Sequence, residues 1–428
     1  MNNLPKNWTI ATLNDVAKLT SGGTPLATKK EYYENGTIPW LVIGDLTDSF
    51  VECSEKYITE IALKESNAKL LPIGTLLIAM YGSIGKLGIT KIECATNQAI
   101  ASIIELYGID KFFLFYLFLY KRPFLMQLGK GGTQKNISLA VLNSLEIPLP
   151  PLAEQGRIVA KIEELFAGID AGVENLKSVK NQIALYRQSV LKSAFANQTK
   201  KEMLKNFIIE INYGTSEKTN DDASGIPVLR MGDIQNGKLR FNKLKYLKKI
   251  TDKKLLLQKG DLLFNRTNSA ELVGKSAVFN SDFVCSFASY LIKVRFSEKL
   301  NSDYVCFYIN SPYGKAWAKT QLTQQVGQAN INSQKLQALQ IPIPTLVEQE
   351  RIVAEIESRF ERADALETAV DRALNDAEKL KQAVLKKAFS GELVPQNPDD
   401  EPASVLLARI RAARAAEQRA NPKKGKRK

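Results

Sequence analysis

Two long segments of the chain carry apolar residues at alternating intervals of three and four, which is the period of one face of an α-helix. The first segment begins beyond Pro151, and its apolar stripe consists of Ile162, Phe166, Ile169, Val173 and Leu176. The second begins beyond Pro344, and its stripe includes Ile356, Phe360, Leu366, Val370 and Leu380, with alanines at 363, 373 and 377 between them. Two successive steps of three, at 360–363–366, break its strict phase. Because a stripe of this length needs an apolar partner, we predict two long helices, residues 152–197 and 346–392, that pack against each other.

The residues ahead of each predicted helix follow another pattern, in which short apolar runs are bounded by Gly, Pro, Asn and Asp. Such runs indicate strands, and they occur at 76–79, 100–106, 262–264 and 290–294, with helical stretches at 110–120 and 302–319. The predicted fold class is therefore α+β, with two globular domains, residues 1–151 and 198–345, each followed by one long helix. We expect residues 393–428 to form a basic, flexible C-terminal tail.

The chain is also an internal repeat. Residues 147–166 recur as 341–360, and the offset of 194 residues still holds where 190–195 recurs as 384–389. Farther upstream the offset changes, for example to 188 between 38–46 and 226–234. Helices that repeat without a gap indicate a fixed length, whereas changing offsets indicate loops of different length on one scaffold. Such loops are where binding residues concentrate.

Composition excludes several kinds of chemistry. The chain contains no histidine, which excludes Ser-His-Asp and Cys-His catalysis and histidine-ligated metals. Its four cysteines are far apart, which indicates a reducing compartment and neither a disulfide framework nor a zinc site. A net charge of +14 favours a polyanion such as nucleic acid as partner. Because the N-terminus lacks a signal peptide and the longest apolar run is too short for a bilayer, we expect a cytoplasmic protein without membrane contact.

Three sets of motifs carry a family resemblance. Paired I-P-[LI]-P-x-L-x-E-Q-x-R-I-V-A segments begin at Ile147 and Ile341, and paired L-K-[SK]-A-F helix ends occupy 191–195 and 385–389. The chain closes with F-S-G-E-L-V-P at 389–395, followed by D-E-P-A-S at 400–404. With these motifs, essentially the whole chain resembles the DNA specificity subunits of type I restriction-modification systems.

The resemblance implies that each globular domain is a target-recognition domain that recognises one half of a split, asymmetric site in double-stranded DNA. It implies that the two helices pair as an antiparallel coiled coil, fix the gap between the half-sites and dock two methyltransferase subunits, and that a restriction (translocase) subunit joins this assembly. The chain itself would be non-catalytic and would bind no cofactor or metal. S-adenosylmethionine, ATP and Mg would belong to the partner subunits.

Candidate DNA contacts lie in two loops of each domain. The first loop follows a strand, and its candidates are Tyr81, Ser83 and Lys86 in the first domain and Asn265, Arg266, Thr267, Asn268 and Lys275 in the second. The second loop precedes the long helix, and its candidates are Thr133, Gln134, Lys135 and Asn136, then Gln328 and Asn330. Amide side chains suit adenine edges because they donate and accept at once. Turn capping and an ordinary solvated hairpin are the alternatives. The second domain's first loop is not a Walker A motif, since Ser269 stands where glycine is required.

Residues 238–259 form a basic stretch, with nine basic residues and one acid, Asp252. We expect phosphate contacts from this stretch, with Lys243, Lys245 and Lys248 as candidates. The alternative is a solvated strand edge on which lysines discourage aggregation. The basic run at 421–428 either adds nonspecific attraction to DNA or has no role.

Three other functions remain open from the sequence. The chain could be the specificity subunit of a type IIB-like or related defence methyltransferase system. It could be a self-contained DNA methyltransferase or nuclease, although it lacks the [ND]-P-P-[YF] loop of amino-methyltransferases. It could also be a coiled-coil adaptor whose globular domains bind protein, which its basic character disfavours.

Overall fold

The computed structural model describes residues 4–129, 135–198, 200–250, 252–269, 272–325 and 328–420. The chain divides into two compact units, of which the first combines Met1–Glu174 with Leu374–Lys428 and the second is Asn175–Ala373. Each unit contains one globular domain, part of one long helix and the complementary part of the other. The predicted α+β class is confirmed.

In the first domain a five-stranded sheet has the order Ala17–Ser21, Ile100–Leu106, Leu76–Ala79, Leu87–Thr90, Ser49–Val51. A smaller sheet has the order Tyr57–Ile58, Ile38–Leu41, Ala95–Thr96, and Thr9–Thr12 pairs with Glu146–Leu149. The helices are Leu13–Val16, Glu60–Glu65, Lys111–Leu128 and Leu139–Asn143, with 3-10 turns at Lys30–Tyr32 and Ile43–Asp45. The apolar run at 112–120 lies in Lys111–Leu128, where Phe113 and Phe118 are fully buried. Among the described residues, no helix is long and apolar enough to span a membrane.

The second domain repeats this plan. Its main sheet has the order Ile208–Tyr213, Leu291–Phe296, Asp261–Asn265, Ser276–Phe279, and a smaller sheet has the order Lys245–Leu247, Ile226–Leu229, Ser286–Phe287. Short pairs join Lys201–Met203 to Gln340–Pro342 and Ile234–Gln235 to Lys238–Leu239, and a third small sheet has the order Thr267–Asn268, Gln328–Asn330, Thr323–Gln325. The helices are Ser302–Asn310, Pro312–Gln321 and Ser333–Gln337, with 3-10 turns at Leu204–Phe207, Met231–Asp233 and Lys253–Leu255.

The two predicted long helices are confirmed and span Leu152–Phe195 and Leu346–Ser390. The two helices run antiparallel: along the first helix, successive residues form ion pairs with residues progressively earlier in the second helix. In the first unit Asp170 pairs with Lys381 at 2.5 Å. In the second unit Lys180 pairs with Asp371 at 2.7 Å, and Arg187 pairs with Asp364 and Glu367 at 2.6 and 2.7 Å.

Both helices also take part in the domain cores. Phe389, at the end of the second long helix, lies edge-on to Phe113 with ring centroids 5.3 Å apart and stacks on Tyr120 at 5.4 Å. Its counterpart Phe195, at the end of the first long helix, lies edge-on to two tyrosines of the second domain, at 5.3 and 5.2 Å. The repeated Ala-Phe helix end therefore closes the core of a globular domain.

The glutamine of each repeated Glu-Gln pair is fully buried and makes the same hydrogen bonds. The side-chain oxygen of Gln155 accepts from the backbone N–H of Asp110 at 2.7 Å, and that of Gln349 accepts from Asn301 at 2.9 Å. Each amide nitrogen donates to two backbone carbonyls, at 3.0 and 3.3 Å in both domains. Asp110 and Asn301 cap the helices Lys111–Leu128 and Ser302–Asn310. The glutamine thus fastens the start of a long helix to the start of a domain helix.

Two predicted packing residues are corrected by the structure. Leu366 is 50% exposed and Leu380 is 53% exposed, whereas Ala363, Val370 and Val384 on the same helix are buried. Leu380 lies one position away from the inward row. Lys381 takes that position instead, with its ammonium 5.3 Å from the ring centroid of Phe166. The other predicted stripe positions are buried at Ile162, Ile356, Phe360 and Val370 and half-buried at Phe166, Ile169, Val173 and Leu176.

The prediction of a flexible C-terminal tail is wrong for residues 403–420. Ala403–Ala420 is a helix that contacts Leu13–Val16 and Thr9–Thr12. Its residues Leu406, Leu407 and Ile410 are buried, and Arg411 forms an ion pair with Asp15 at 2.8 Å. That guanidinium is the largest influence on the pKa of Asp15 and holds it far below its usual range. The apolar face is only two turns long and lies among arginines, which concealed it in the sequence. Residues 421–428 lie outside the described part of the chain.

Candidate nucleic-acid interface

The two candidate loops of each domain are neighbours in the structure. In the first domain Tyr81 bridges Asn136, and the backbone N–H of Ile137 donates to the carbonyl of Met80 at 2.9 Å. In the second domain Thr267 pairs with Asn330, and the N–H of Ile331 donates to the carbonyl of Arg266 at 2.9 Å. We call this arrangement the paired-loop surface: residues 80–86 with 135–137, and residues 266–269 with 328–331.

Several predicted residues lie directly on this surface. Tyr81 is 39% exposed, Ser83, Lys135 and Asn136 are exposed, and Lys86, Thr267, Asn268 and Asn330 are half-buried. The backbone of Gln328 belongs to the strand that pairs with the first loop. Thr133 and Gln134 lie outside the described residues.

A 3-10 turn lies beside the paired-loop surface in both domains. The Asp45 carboxylate accepts from the N–H of Val42 at 2.7 Å, and the Asp233 carboxylate accepts from the N–H of Arg230 at the same distance. Burial raises the pKa of Asp233. Lys86 reaches the first turn, at 3.5 Å from its Ile43 carbonyl. In the second domain the side-chain amide of Asn268 lies 3.6 Å from the sulfur of Met231. Asp45 and Asp233, which are equivalent in the repeat, therefore cap the same turn in the two domains.

A third segment, residues 97–99 in the first domain and 288–290 in the second, is joined to this surface by equivalent hydrogen bonds. In the first domain Asn97 N–H donates to the Leu41 carbonyl at 3.1 Å, and Met80 N–H donates to the Ala99 carbonyl at 2.8 Å. In the second domain the N–H of Ala288 donates to the Leu229 carbonyl at 2.8 Å, and the N–H of Arg266 donates to the Tyr290 carbonyl at 3.0 Å. The two domains thus present the same three segments, which carry different side chains.

An arginine that the sequence did not single out supports the first loop. Arg122 donates from Nε to the carbonyl of Gly85 at 2.9 Å and grips the Asp48 carboxylate at 2.9 and 2.5 Å. Asp48 also accepts from the N–H of Leu87 at 2.9 Å. This arginine follows the long apolar run, and its position in the sequence gave no indication of the loop it would reach.

Two candidates of the second domain do not lie on the paired-loop surface. Asn265 is fully buried, and its amide donates to the Leu272 carbonyl at 3.2 Å. The prediction that its side chain contacts DNA is therefore wrong, because it occupies the last buried position of the strand. Lys275 lines a cleft of about 470 Å³ beside the long helix, together with Arg187, Gln188 and Lys315.

Some lysines of the basic stretch are exposed to solvent, and others form ion pairs with carboxylates of the same unit. Lys243 supplies a carbonyl that accepts from Arg230 at 3.1 Å, which connects the stretch to the 3-10 turn. Lys243 and Lys248 are exposed, whereas Lys245 is half-buried and ion-paired with Asp221. Lys238 pairs with Asp364 of the second long helix at 2.7 Å. Only part of the stretch is thus free for a phosphate backbone.

Of the four cysteines, Cys53 is exposed and the other three are buried. Burial raises the pKa of the thiols of Cys94, Cys285 and Cys306 to about 12, which keeps them protonated and unreactive. Within the described ranges, no group of three or more Cys, Asp or Glu side chains is placed to hold a metal ion.

The sequence of this chain is similar to those of known proteins over nearly its whole length. A family model described as the type I restriction modification DNA specificity domain matches residues 5–181 and again residues 188–375. The specificity subunit of the type I restriction enzyme EcoKI from Escherichia coli strain K12 is 27% identical, over 96% of this chain and 97% of that protein. The StySPI specificity subunit from Salmonella potsdam is 26% identical over 96% of each.

Solved structures show the same fold. A chain from a study of complex assembly and conformational transition of the type I R-M system matches with a TM-score of 0.71, 20% identity, and coverage of 92% of this chain and all of that one. The HsdS subunit from Thermoanaerobacter tengcongensis matches with a TM-score of 0.51 and 20% identity, over 91% of this chain and 98% of that one.

Proposed function

Because this chain belongs to the family of type I restriction modification DNA specificity domains, we propose that its two globular domains bind one half each of a bipartite, asymmetric site in double-stranded DNA. The chain acts as a specificity subunit. It supplies sequence recognition to a complex in which methyltransferase and restriction subunits perform the chemistry.

One observation carries the proposal: the paired-loop surface is built twice on the same backbone hydrogen bonds but with different side chains. A conserved scaffold with variable exposed side chains is what two recognition modules for different sequences require. Phosphate contacts position such modules, and side chains at base edges specify the sequence. The exposed lysines beside the second surface supply the positioning charge.

The chain has no histidine, which excludes histidine-based catalysis, and we infer a non-catalytic role for it. We propose that two methyltransferase subunits dock on the long helices and that a restriction (translocase) subunit joins them. S-adenosylmethionine, ATP and Mg would be bound by those partners and not by this chain.

Domain exchange tests the proposal. The second domain is the better choice because it is one continuous segment of its unit, while the first unit draws on both ends of the chain. Residues 201–343 are replaced by the equivalent segment of a relative with another specificity, and both long helices are kept. The chimera is co-produced with the methyltransferase of its system, and methylated bases are sequenced genome-wide.

We expect one half of the methylated motif to change and the other half to stay as it was. The reciprocal exchange of residues 9–149 is the control and should alter the opposite half. If either exchange altered both halves together, two independent recognition modules would be ruled out.

A further inference from the structure

The shared backbone allows the two recognition surfaces to be compared position by position. The equivalences follow from the sheet registers and from the hydrogen bonds of residues 97–99 and 288–290. The first domain has Ser21, Val42, Met80, Asn97, Gln98 and Ala99. At the same positions, in the same order, the second domain has Tyr213, Arg230, Arg266, Ala288, Ser289 and Tyr290.

The two sets differ in chemistry. The first contains two amides and no charge, whereas the second contains two arginines and two tyrosines. Arg230 and Arg266 flank residues 288–290. The carbonyl of Leu229, next to Arg230, accepts from the N–H of Ala288, and the N–H of Arg266 donates to the carbonyl of Tyr290. The arginines therefore occupy one continuous patch, with Arg266 on the paired-loop surface of the second domain and Arg230 beside it.

We propose that Arg266, with Arg230 beside it, recognises guanine, so that the half-site bound by the second domain contains a G·C pair. The inference rests on the proposed function and adds the base class that one of its surfaces selects. Arginine is suited to this base because its planar fork donates two parallel hydrogen bonds to the O6 and N7 acceptors of guanine in the major groove.

Arg266 is held in a defined orientation. Its guanidinium lies 4.7 Å from the ring centroid of Tyr213, and Nη1 donates to the Ser289 carbonyl at 3.4 Å. The ring itself is fixed, because the Tyr213 hydroxyl bonds both the hydroxyl and the N–H of Ser333 at 2.9 Å. A stacked, restrained guanidinium loses less freedom on binding than a free one, which favours a specific contact over a diffuse one.

Both arginines also have unused donors. The Nε of Arg230 and the Nε of Arg266 are buried without a hydrogen-bond partner. The Arg230 Nε lies 3.9 Å from the Asp233 carboxylate, and the Arg230 side chain is 40% exposed. An unsatisfied buried donor is costly. A base with two adjacent acceptors, met by Nε and an Nη of a reoriented guanidinium, would supply those hydrogen bonds.

Charge alone does not require these arginines. Exposed lysines nearby, among them Lys248 and Lys249, supply point charges that suit phosphates. The arginines instead stand where the first domain has Val42, which is half-buried, and Met80, which is buried. Their fork geometry is the property that lysine lacks.

The test uses the complete chain with the methyltransferase of its system and reads methylated motifs genome-wide. The half-site of the second domain is first assigned by exchange of residues 201–343. It should contain a G·C pair. Arg266→Ala should relax that base pair, with discrimination falling roughly 5- to 140-fold, and Arg266→Lys should not restore it. Recognition by the first domain should be unchanged in the same molecules, which reports that the variant is folded. Arg230→Ala is the second variant, and Lys248→Ala is the control that weakens all sites alike.

Each outcome decides the inference. A second half-site without any G·C pair overturns it, as does a uniform loss of methylation in both arginine variants without relaxation at any base. If Arg266→Ala abolished recognition by both domains through misfolding, Arg230→Ala would decide alone. A wild-type complex that methylated no bipartite motif would instead contradict the proposed function, so the two failures are distinguishable.

Discussion

Glu154 and Glu348 occupy equivalent positions of the repeat but have opposite surroundings. Glu154 is buried, where its carboxylate accepts from Trp8 at 3.0 Å and from Gln396 at 2.7 Å, and burial raises its pKa. Glu348 is half-buried on its helix, and the guanidinium of Arg351 lowers its pKa. At the scale of single residues, repetition in sequence therefore does not guarantee repetition of role.

The neighbouring glutamines do repeat their role, and this gives a prediction. Gln155→Leu or Gln349→Leu should each lower the free energy of unfolding of its unit by about 1–3 kcal/mol, because one buried N–H and two carbonyls lose their partner. Chemical denaturation of the full chain, followed in each unit, measures the loss. Gln182→Leu, at an exposed position of the same helix, is the matched control. An equal effect of all three changes would show that the buried hydrogen bonds do not matter.

At the scale of elements, the long helices were predictable because their periodicity extends over many turns. Packing detail was not, since Leu380 and Lys381 compete for one inward position and the lysine occupies it by pairing with Asp170. The helix at Ala403–Ala420 was missed because its apolar face comprises only a few residues. Short elements depend on the surface that receives them, which lies far away in the sequence.

This C-terminal helix supports a second prediction. Leu407→Ala should lower the free energy of unfolding of the first unit by about 2–5 kcal/mol, because the leucine is buried in that unit's core. Val405→Ala changes a side chain that is 50% exposed on the same helix and should have little effect. The second unit should unfold as before in both variants. A neutral Leu407→Ala variant would indicate that the helix is not docked in solution.

At the scale of the whole molecule, the net charge of +14 is distributed unevenly, and the basic stretch shows why position matters. Lys248→Glu combined with Lys249→Glu should weaken binding to every DNA sequence and reduce the salt dependence, with a slope change of about 0.9 per phosphate contact removed. Binding to random DNA over a range of salt concentrations measures the slope.

Lys238→Glu is the control for that experiment, since this lysine is paired with Asp364 and should add little to the salt slope. If the double variant kept the wild-type slope, the exposed lysines would face away from DNA.

The recognition surface shows the limit of sequence reasoning at this scale. The sequence indicates each candidate loop only by itself, through Tyr81 and Asn136 in one domain and Thr267 and Asn330 in the other. Their backbone pairing joins segments more than fifty residues apart, which no local pattern encodes. The support of the first loop by Arg122 and the burial of Asn265 are long-range consequences of the same kind.

The division of the chain into units has a consequence for synthesis. The second unit is one uninterrupted stretch, whereas the first is completed by residues 374–428, including Phe389 and Leu407 in its core. A growing chain emerges from the ribosome from its N-terminus. The domain that is translated first therefore has to wait for the last residues before its core can close, and the domain that is translated second can finish folding before it. Termination between residues 374 and 388 would release a chain whose later-made half is intact and whose earlier-made half lacks Phe389 and Leu407 from its core.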